Sequence, residues 1–145
     1  MRHICNVLCL LLAVLLAVSC AVFAVSCSDD DDPLTADALE IEHEEKFGNV
    51  YIKLTIDEFN ALGFAYGDSV TITFSNGFVL EGIPYYNGFY VNIGEPLLVG
   101  YPGYPYIRAG YNSGDDLYVA AGLRPTDTAI VTLDEKGKFL AVRKD

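Results

Sequence analysis

The stretch from residue 69 to residue 83 restricts the fold of this chain more than any other part of the sequence. Apolar and hydroxyl-bearing side chains alternate over residues 69–74, which is the two-residue period of a strand with one buried face. Asn76-Gly77 follows and is predicted to supply the two positive-φ residues of a tight hairpin turn. Residues 78–83 then return as the partner strand. This hairpin indicates a β fold.

The remainder of the chain from Leu39 onward is mostly β in pattern. Further strands are predicted at residues 39–43, 50–55, 89–93, 97–99 and 106–109, and a final hairpin at 129–133 and 138–142. A capping box formed by Thr55 and Glu58 predicts a short helix through about Leu62, and a second short helix is predicted at 115–121. Many short strands with tight turns predict a small, Greek-key-like β-barrel over residues 39–145, because closure removes exposed sheet edges.

One short motif occurs twice in this region. Residues 61–68 and 120–127 each contain the end of a short helix, a glycine that stops it and an aspartate five residues later, ahead of an alternating strand. The aspartates are Asp68 and Asp127. Since aspartate readily accepts hydrogen bonds from nearby turn amides, we expect each to hold the turn before its strand.

All four cysteines lie within the first 27 residues, beside an uncharged, leucine-rich stretch that follows Arg2. This is the layout of a secretory signal peptide. Two Ala-Val-Ser-Cys sequences, ending at Cys20 and at Cys27, resemble the lipobox of bacterial lipoproteins, in which the cysteine is acylated and becomes the first mature residue. Cys27 is the favoured lipidation site, with Cys20 as the alternative, because Ser28 and four aspartates follow Cys27 at once.

The predicted organisation is a signal peptide at residues 1–26, an acidic flexible tether at 27–38 and the barrel at 39–145. A run of aspartates repels itself and cannot pack, which is typical of a solvated tether. Two alternatives remain for the leader: an uncleaved membrane anchor, since a span needs roughly 20 apolar residues, and cleavage with release. All three place the barrel outside the cytoplasm, and the lipoprotein interpretation anchors it to the bacterial cell membrane.

Charge and motif content exclude several classes of function. The net charge of −11 argues against a nucleic-acid partner, whose phosphates require a basic surface. No HExxH motif, P-loop or Gly-x-Ser-x-Gly motif is present, and His43 is the lone histidine after the leader. Glu42, Glu44 and Glu45 surround it, but alternation along a strand divides these carboxylates between two faces. We therefore expect a solvated acidic edge, with no catalytic residue, metal or cofactor.

Residues 44–54, EEKFGNVYIKL, resemble the start of the C-terminal domain in the S-adenosyl-L-methionine hydroxide adenosyltransferase family, which includes chlorinases and fluorinases. Those domains open with an acidic residue, then Phe-Gly-Asn, then a strand. Residues 62–70 and 110–123 resemble later turns of the same domain, so that the likeness covers about residues 39–142. The resemblance implies a Greek-key barrel that packs on the family's N-terminal domain and helps to hold an adenosyl group.

Carried over by this resemblance, Asn49 bonds the adenine, Tyr51 lies nearby, and Phe47 shapes the pocket. The acid that meets the amino-acid end of the ligand is Glu45 or Glu44. A purely structural interpretation also accounts for Phe47-Gly48-Asn49, as a tight turn ahead of the strand. The family's catalytic N-terminal domain is not found in this sequence, so that fold likeness does not extend to catalysis.

The expected function is therefore an exported, lipid-anchored, non-catalytic module that binds a protein partner or a small ligand at the cell surface. The same barrel also resembles the N-terminal module of exported bacterial proteins in which a tyrosine-phosphatase-like domain follows. One alternative is an adenosyl- or nucleoside-binding protein. The other is a carbohydrate or cell-wall binder that uses the tyrosines at positions 85, 86, 90, 101, 104 and 106.

Overall fold

Seven strands, some with alternating burial and others buried along most of their length, form the described part of this protein. The computed structural model describes residues 33–140; the leader, Cys20, Cys27, the first half of the predicted tether and residues 141–145 lie outside this range. The strands are β1 (Thr35–Glu44), β2 (Asn49–Ile52), β3 (Ser69–Phe74), β4 (Val79–Tyr86), β5 (Pro96–Val99), β6 (Ile107–Tyr111) and β7 (Thr128–Glu135). Two short helices, α1 (Ile56–Ala61) and α2 (Leu117–Ala120), connect them.

The strands close into a barrel in the order β1-β2-β6-β5-β4-β3-β7. Neighbours are antiparallel except β4 and β5, which are parallel. The first half of β1 pairs with β7, and the second half pairs with β2. The predicted mainly β, barrel fold is confirmed. Because every strand finds its neighbours within the described residues, the barrel closes on its own.

Strand β1 begins at Thr35, inside the segment predicted to be a tether. Ala36 is 5% exposed and lies opposite Val131 of β7, so that this part of the chain belongs to the core. Ala38 has a φ of 54°, and the register shifts between Ala36 and Leu39. This bulge interrupts the alternation, which is why the sequence pattern becomes visible only from Leu39.

The central hairpin forms as predicted, but its turn is of a different type. Gly77 has a φ of 95°, whereas Asn76 has no positive φ. The amide of Phe74 donates to the carbonyl of Phe78, which leaves a three-residue loop. Asn76 accepts from the Phe78 amide at 3.0 Å and donates to the carbonyl of Ala121 at 2.8 Å. A three-residue hairpin loop needs a single positive-φ residue, and Gly77 provides it.

Two predicted strands are wrong. Residues 89–93 form a loop, in which the side-chain amide of Asn112 donates to the carbonyl of Val91 at 2.7 Å. The strand predicted at 129–133 exists within β7, but its partners are β1 and β3. The second wrong prediction is the strand at 138–142: residues 138 and 139 form a turn, Leu140 has helical backbone, and residues 141 and 142 lie outside the described range. Strand β7 pairs on both sides because it fills the gap between β1 and β3.

The motif that occurs twice does what the sequence predicts. Asp68 accepts from the amide of Ala65 at 2.8 Å, and Asp127 accepts from the amide of Arg124 at 2.8 Å. Both aspartates are buried, and each precedes its strand, β3 or β7, directly. The capping box of α1 is also confirmed, with Thr55 as N-cap. Local side-chain chemistry therefore determines where these elements begin.

Candidate ligand groove

A groove of about 380 Å³ opens where β2 and β6 meet the loops around them. Its lining residues come from the turn after β1, the start of β2, the loop after β4, the loop after β5, and β6 with the turn that follows. They are Phe47, Asn49, Phe89, Tyr101, Tyr104, Arg108, Tyr111, Asn112 and Ser113. Phe47 and Tyr101 are 56% and 46% exposed, which places them at the rim. Aromatic side chains thus make up most of the groove.

A buried ion pair joins Arg108 to Glu44 at this groove. Nη1 of Arg108 donates to both carboxylate oxygens of Glu44, at 2.8 and 3.0 Å. The side-chain amide of Asn49 donates to Glu44 at 2.8 Å, and the hydroxyl of Tyr51 donates at 3.1 Å. Three strands converge on this carboxylate because Glu44 lies opposite Asn49, and Tyr51 opposite Arg108. The charge of Glu44 is therefore compensated within the protein.

The guanidinium of Arg108 lies against two aromatic rings. Its central carbon is 4.0 Å from the ring centroid of Tyr104 and 5.3 Å from that of Phe89. These contacts hold the guanidinium in place through cation–π attraction. The Arg108 side chain is 5% exposed, and its buried Nε has no hydrogen-bond partner in the described structure. An orphaned donor thus belongs to a residue that lines the groove.

Burial is the main reason that the pKa of Tyr51 is raised, and the hydrogen bond to Glu44 raises it further. Tyr51 therefore remains a neutral hydrogen-bond donor to Glu44 at physiological pH. This arrangement gives Glu44 partners that do not depend on Arg108. The carboxylate of Glu44 consequently accepts hydrogen bonds both from Arg108 and from the side chains of β2.

Asn49 reaches Glu44 because residue 110 is glycine. A Cβ atom at Gly110 would lie 2.0 Å from the side-chain oxygen of Asn49, closer than side chains tolerate. Asn49 is 2% exposed. The amide of Asn49 is thus packed against the backbone of β6, and its nitrogen is already engaged by Glu44.

The structure brings together some of the predicted site residues and separates others. Phe47 and Asn49 line the groove, and Tyr51 lies beside it through its bond to Glu44. Glu45 is exposed in the turn after β1 and does not line the groove. Glu44 does not line the groove either, but it bonds to Asn49 and Arg108, which do.

The six tyrosines proposed as a carbohydrate surface do not form one surface. Tyr85 is fully buried and packs in the core, so that it cannot stack on a sugar. Tyr86 and Tyr90 line a second groove of about 420 Å³, formed by residues of β4, the loop after it and Phe139. Tyr101 and Tyr104 are the two that line the first groove.

Arg108 and Phe89 line the groove but were not predicted as site residues, and Tyr104 was predicted only as part of a carbohydrate surface. One signal for Arg108 was present: a lone arginine lies within a predicted strand whose neighbours are apolar or tyrosine. A cation at such a position needs a buried partner. The sequence also offers acids in the first strand, but pattern alone does not say which acid meets which strand.

The turn that carries Phe47 and Asn49 packs on α2. Gly48 has a φ of 70°, and a Cβ atom there would lie 2.9 Å from the Cα of Asp116. Asp116 caps α2 and binds Nε2 of His43 at 2.8 Å. The ring of His43 stacks on Tyr118 with centroids 4.3 Å apart. His43 therefore supports the turn, in place of the exposed surface role predicted for it.

The hydrogen bonds of Asp116 with α2 and His43 should make the stability of the folded protein depend on pH. Partial burial on its own raises the pKa of Asp116, but hydrogen bonds from the Val119 amide and from His43 outweigh it, and the net shift is downward. A lowered folded-state pKa adds stability above the ordinary carboxyl pKa of about 4. That stability is lost as the pH falls through the lowered value.

We therefore expect Asp116→Asn, which keeps an N-capping side chain, to be less stable than the wild type at neutral pH. The difference in the free energy of unfolding should shrink below roughly pH 4, as urea titrations from neutral to acidic pH would show. Asp115→Asn removes an exposed neighbouring carboxylate and serves as the control. A difference for Asp116→Asn that stays constant down to acidic pH would contradict this expectation.

Residues 33–140 contain no group of three or more His, Cys, Asp or Glu side chains arranged to hold a metal ion. Over the same residues, no helix has the length and apolar character needed to cross a membrane.

One solved structure with a similar fold is that of an uncharacterized conserved protein from Thermotoga maritima. The two chains share 18% identity with a TM-score of 0.54, and the match covers 71% of this chain and 38% of that one. At this identity the likeness shows the fold alone, and this chain matches well under half of the Thermotoga protein. No protein-family model matches the sequence, and no curated protein matches it either.

Proposed function

We propose that this chain is an exported, non-catalytic barrel module that binds a small ring-bearing ligand, and that lipid on Cys27 holds it at the bacterial cell membrane. The leader sequence supports export and anchoring. The order of the Phe-Gly-Asn turn and the later turns supports kinship with the C-terminal domain of the S-adenosyl-L-methionine hydroxide adenosyltransferases. The binding function rests on the groove.

The single observation that carries the proposal is a concave site with aromatic walls and a few polar groups. Its volume of about 380 Å³ falls within the range of small-molecule sites. Aromatic rings stack on the flat faces of bases and sugars, while amide and hydroxyl groups such as those of Asn49, Asn112 and Ser113 fix orientation.

The ionisable side chains at the groove are paired with each other, which favours binding over catalysis. Arg108 is the charged residue of the lining, and it is paired with Glu44 beside it. Glu44 accepts four hydrogen bonds from three side chains, which leaves it poorly placed to take a proton from a ligand. The lining contains no cysteine or histidine. The groove is therefore built to hold a ligand rather than to activate one.

An adenosyl or nucleoside ligand is the second candidate, and one observation favours it. Phe47 and Asn49, the residues that the family resemblance assigns to adenine, line this same groove. The nitrogen of the Asn49 amide is engaged by Glu44, and its oxygen packs against Gly110, so that a hydrogen bond from an adenine to Asn49 would require this side chain to shift.

Calorimetric titration of residues 28–145 with adenosine, S-adenosylmethionine, glucose and N-acetylglucosamine tests the proposal. We expect saturable binding of one ring class, and Tyr101→Ala should weaken it by about 5- to 100-fold, the usual effect of losing one stacked ring. Tyr90→Ala removes a tyrosine that is also exposed but lies at the second groove, and it should leave the affinity unchanged. No binding at millimolar concentration, or equal weakening by both variants, would count against the groove.

A further inference from the structure

Arg108 has a donor that the protein does not satisfy. Both hydrogen bonds to Glu44 leave from Nη1, and Nε is buried without a partner. Native proteins rarely leave such a group unpaired, and an exception calls for an explanation such as a ligand. Arg108 is 4% exposed and is one of the residues that line the groove, so that the orphaned donor belongs to a side chain of this site.

We propose that the ligand carries an oxyanion, either a carboxylate or a phosphate group, next to its ring, and that Arg108 binds this group. The inference rests on the proposed function, since it names the class of ligand for the same groove. The edge of a guanidinium that contains Nε presents two parallel N–H donors, which match the geometry of a carboxylate or phosphate. Nucleoside monophosphates and acidic sugars share this chemistry of a ring with an oxyanion.

The surroundings of Arg108 favour an anion at this position. The lining contains no acidic side chain that would repel one. Tyr104 and Phe89 hold the guanidinium in a fixed orientation, which lowers the entropy lost on binding. Arginine also remains protonated at any pH of interest.

Glu44 does not cancel this role. Asn49 and Tyr51 donate to Glu44 independently of Arg108, so that the carboxylate keeps two partners when Arg108 takes a second anion. Arg108 meets Glu44 through Nη1, on the side of the guanidinium away from Nε. The ion pair therefore fixes the position of Arg108 and leaves one edge for a ligand.

Matched neutral and anionic probes test the inference by calorimetric titration of residues 28–145. The pairs are glucose with glucuronate, and adenosine with adenosine 5′-monophosphate. We expect the anionic member of one pair to bind about 10- to 100-fold more tightly, as for hydrogen bonds to a charged group. In Arg108→Lys, which keeps a cation for Glu44 but lacks the Nε donor, the ratio of the two affinities should fall towards one.

A second variant is needed because removing the charge of Arg108 alone would leave the buried carboxylate of Glu44 without its cationic partner, and the protein could then misfold. Glu44→Gln combined with Arg108→Gln replaces the ion pair by two neutral amides, and it should also remove the preference for the anion. Arg124→Gln changes a side chain that is 74% exposed and outside the groove, and it should keep the preference. Circular dichroism spectra would confirm that each variant is folded before titration.

The outcomes separate this inference from the proposed function. Equal affinity for both members of each pair in the wild type would overturn the oxyanion proposal and leave the ring-binding groove intact. A preference for the anion that survives in both Arg108 variants would assign it to another group and overturn the role of Arg108. Failure of all four probes to bind at millimolar concentration would overturn both proposals.

Discussion

Glu44→Ala is expected to lower the free energy of unfolding by about 3–5 kcal/mol, the usual cost of removing one partner from a buried ion pair. The variant leaves the guanidinium of Arg108, the amide of Asn49 and the hydroxyl of Tyr51 without their shared acceptor. Urea denaturation at neutral pH measures the loss.

The neighbouring residue provides a matched control. Glu45 carries the same side chain but is exposed, and Glu45→Ala should change the free energy of unfolding by no more than about 0.5 kcal/mol. Adding Glu44→Gln to the Arg108→Gln variant should recover part of the stability that Arg108→Gln loses on its own, because neither charge then remains buried and unpaired. Equal effects of Glu44→Ala and Glu45→Ala would show that the ion pair is not buried in solution.

Phe59→Ala should cost a similar amount, about 3–5 kcal/mol, through the cavity it leaves. Phe59 is the fully buried residue of α1; its ring stacks on Phe64 with centroids 4.1 Å apart and meets Tyr85 edge-on at 4.9 Å. Thermal and urea unfolding would both report the loss. Leu62→Ala, at the C-cap of the same helix and 47% exposed, is the control and should cost far less. A comparable loss in both variants would mean that α1 does not pack as described.

The strands that sequence pattern located correctly are those whose alternation is unbroken. Residues 69–74 match β3 without error, because each apolar residue there points into the core. Strand β1 was cut short because the bulge at Ala38 shifts the pattern by one residue. The partners of β7 were assigned to a local hairpin because pairing between distant strands leaves no signal in a single sequence.

Among the residues of the candidate site, too, those adjacent in the chain were predicted and those joined only by the pairing of distant strands were not. The family resemblance, which rests on the contiguous residues Phe47-Gly48-Asn49, named Phe47 and Asn49 as pocket residues, and both line the groove. Glu44 and Arg108 come together only through the register of three strands, which pattern does not provide. Tyr104 lies in a segment rich in glycine and proline with no period to interpret.

The position of β7 has a consequence for how this protein becomes folded. Strand β7 is the last strand of the barrel in chain order, yet it fills the space between β1 and β3, with Thr35 opposite Thr132. A chain that emerges from the ribosome N-terminus first holds an open sheet with two unpaired edges until residues 128–135 arrive. Contacts so distant in sequence make folding slow and cooperative. Closure of the barrel therefore waits for its last strand, and the open sheet that precedes it presents unpaired strand edges, which favour aggregation.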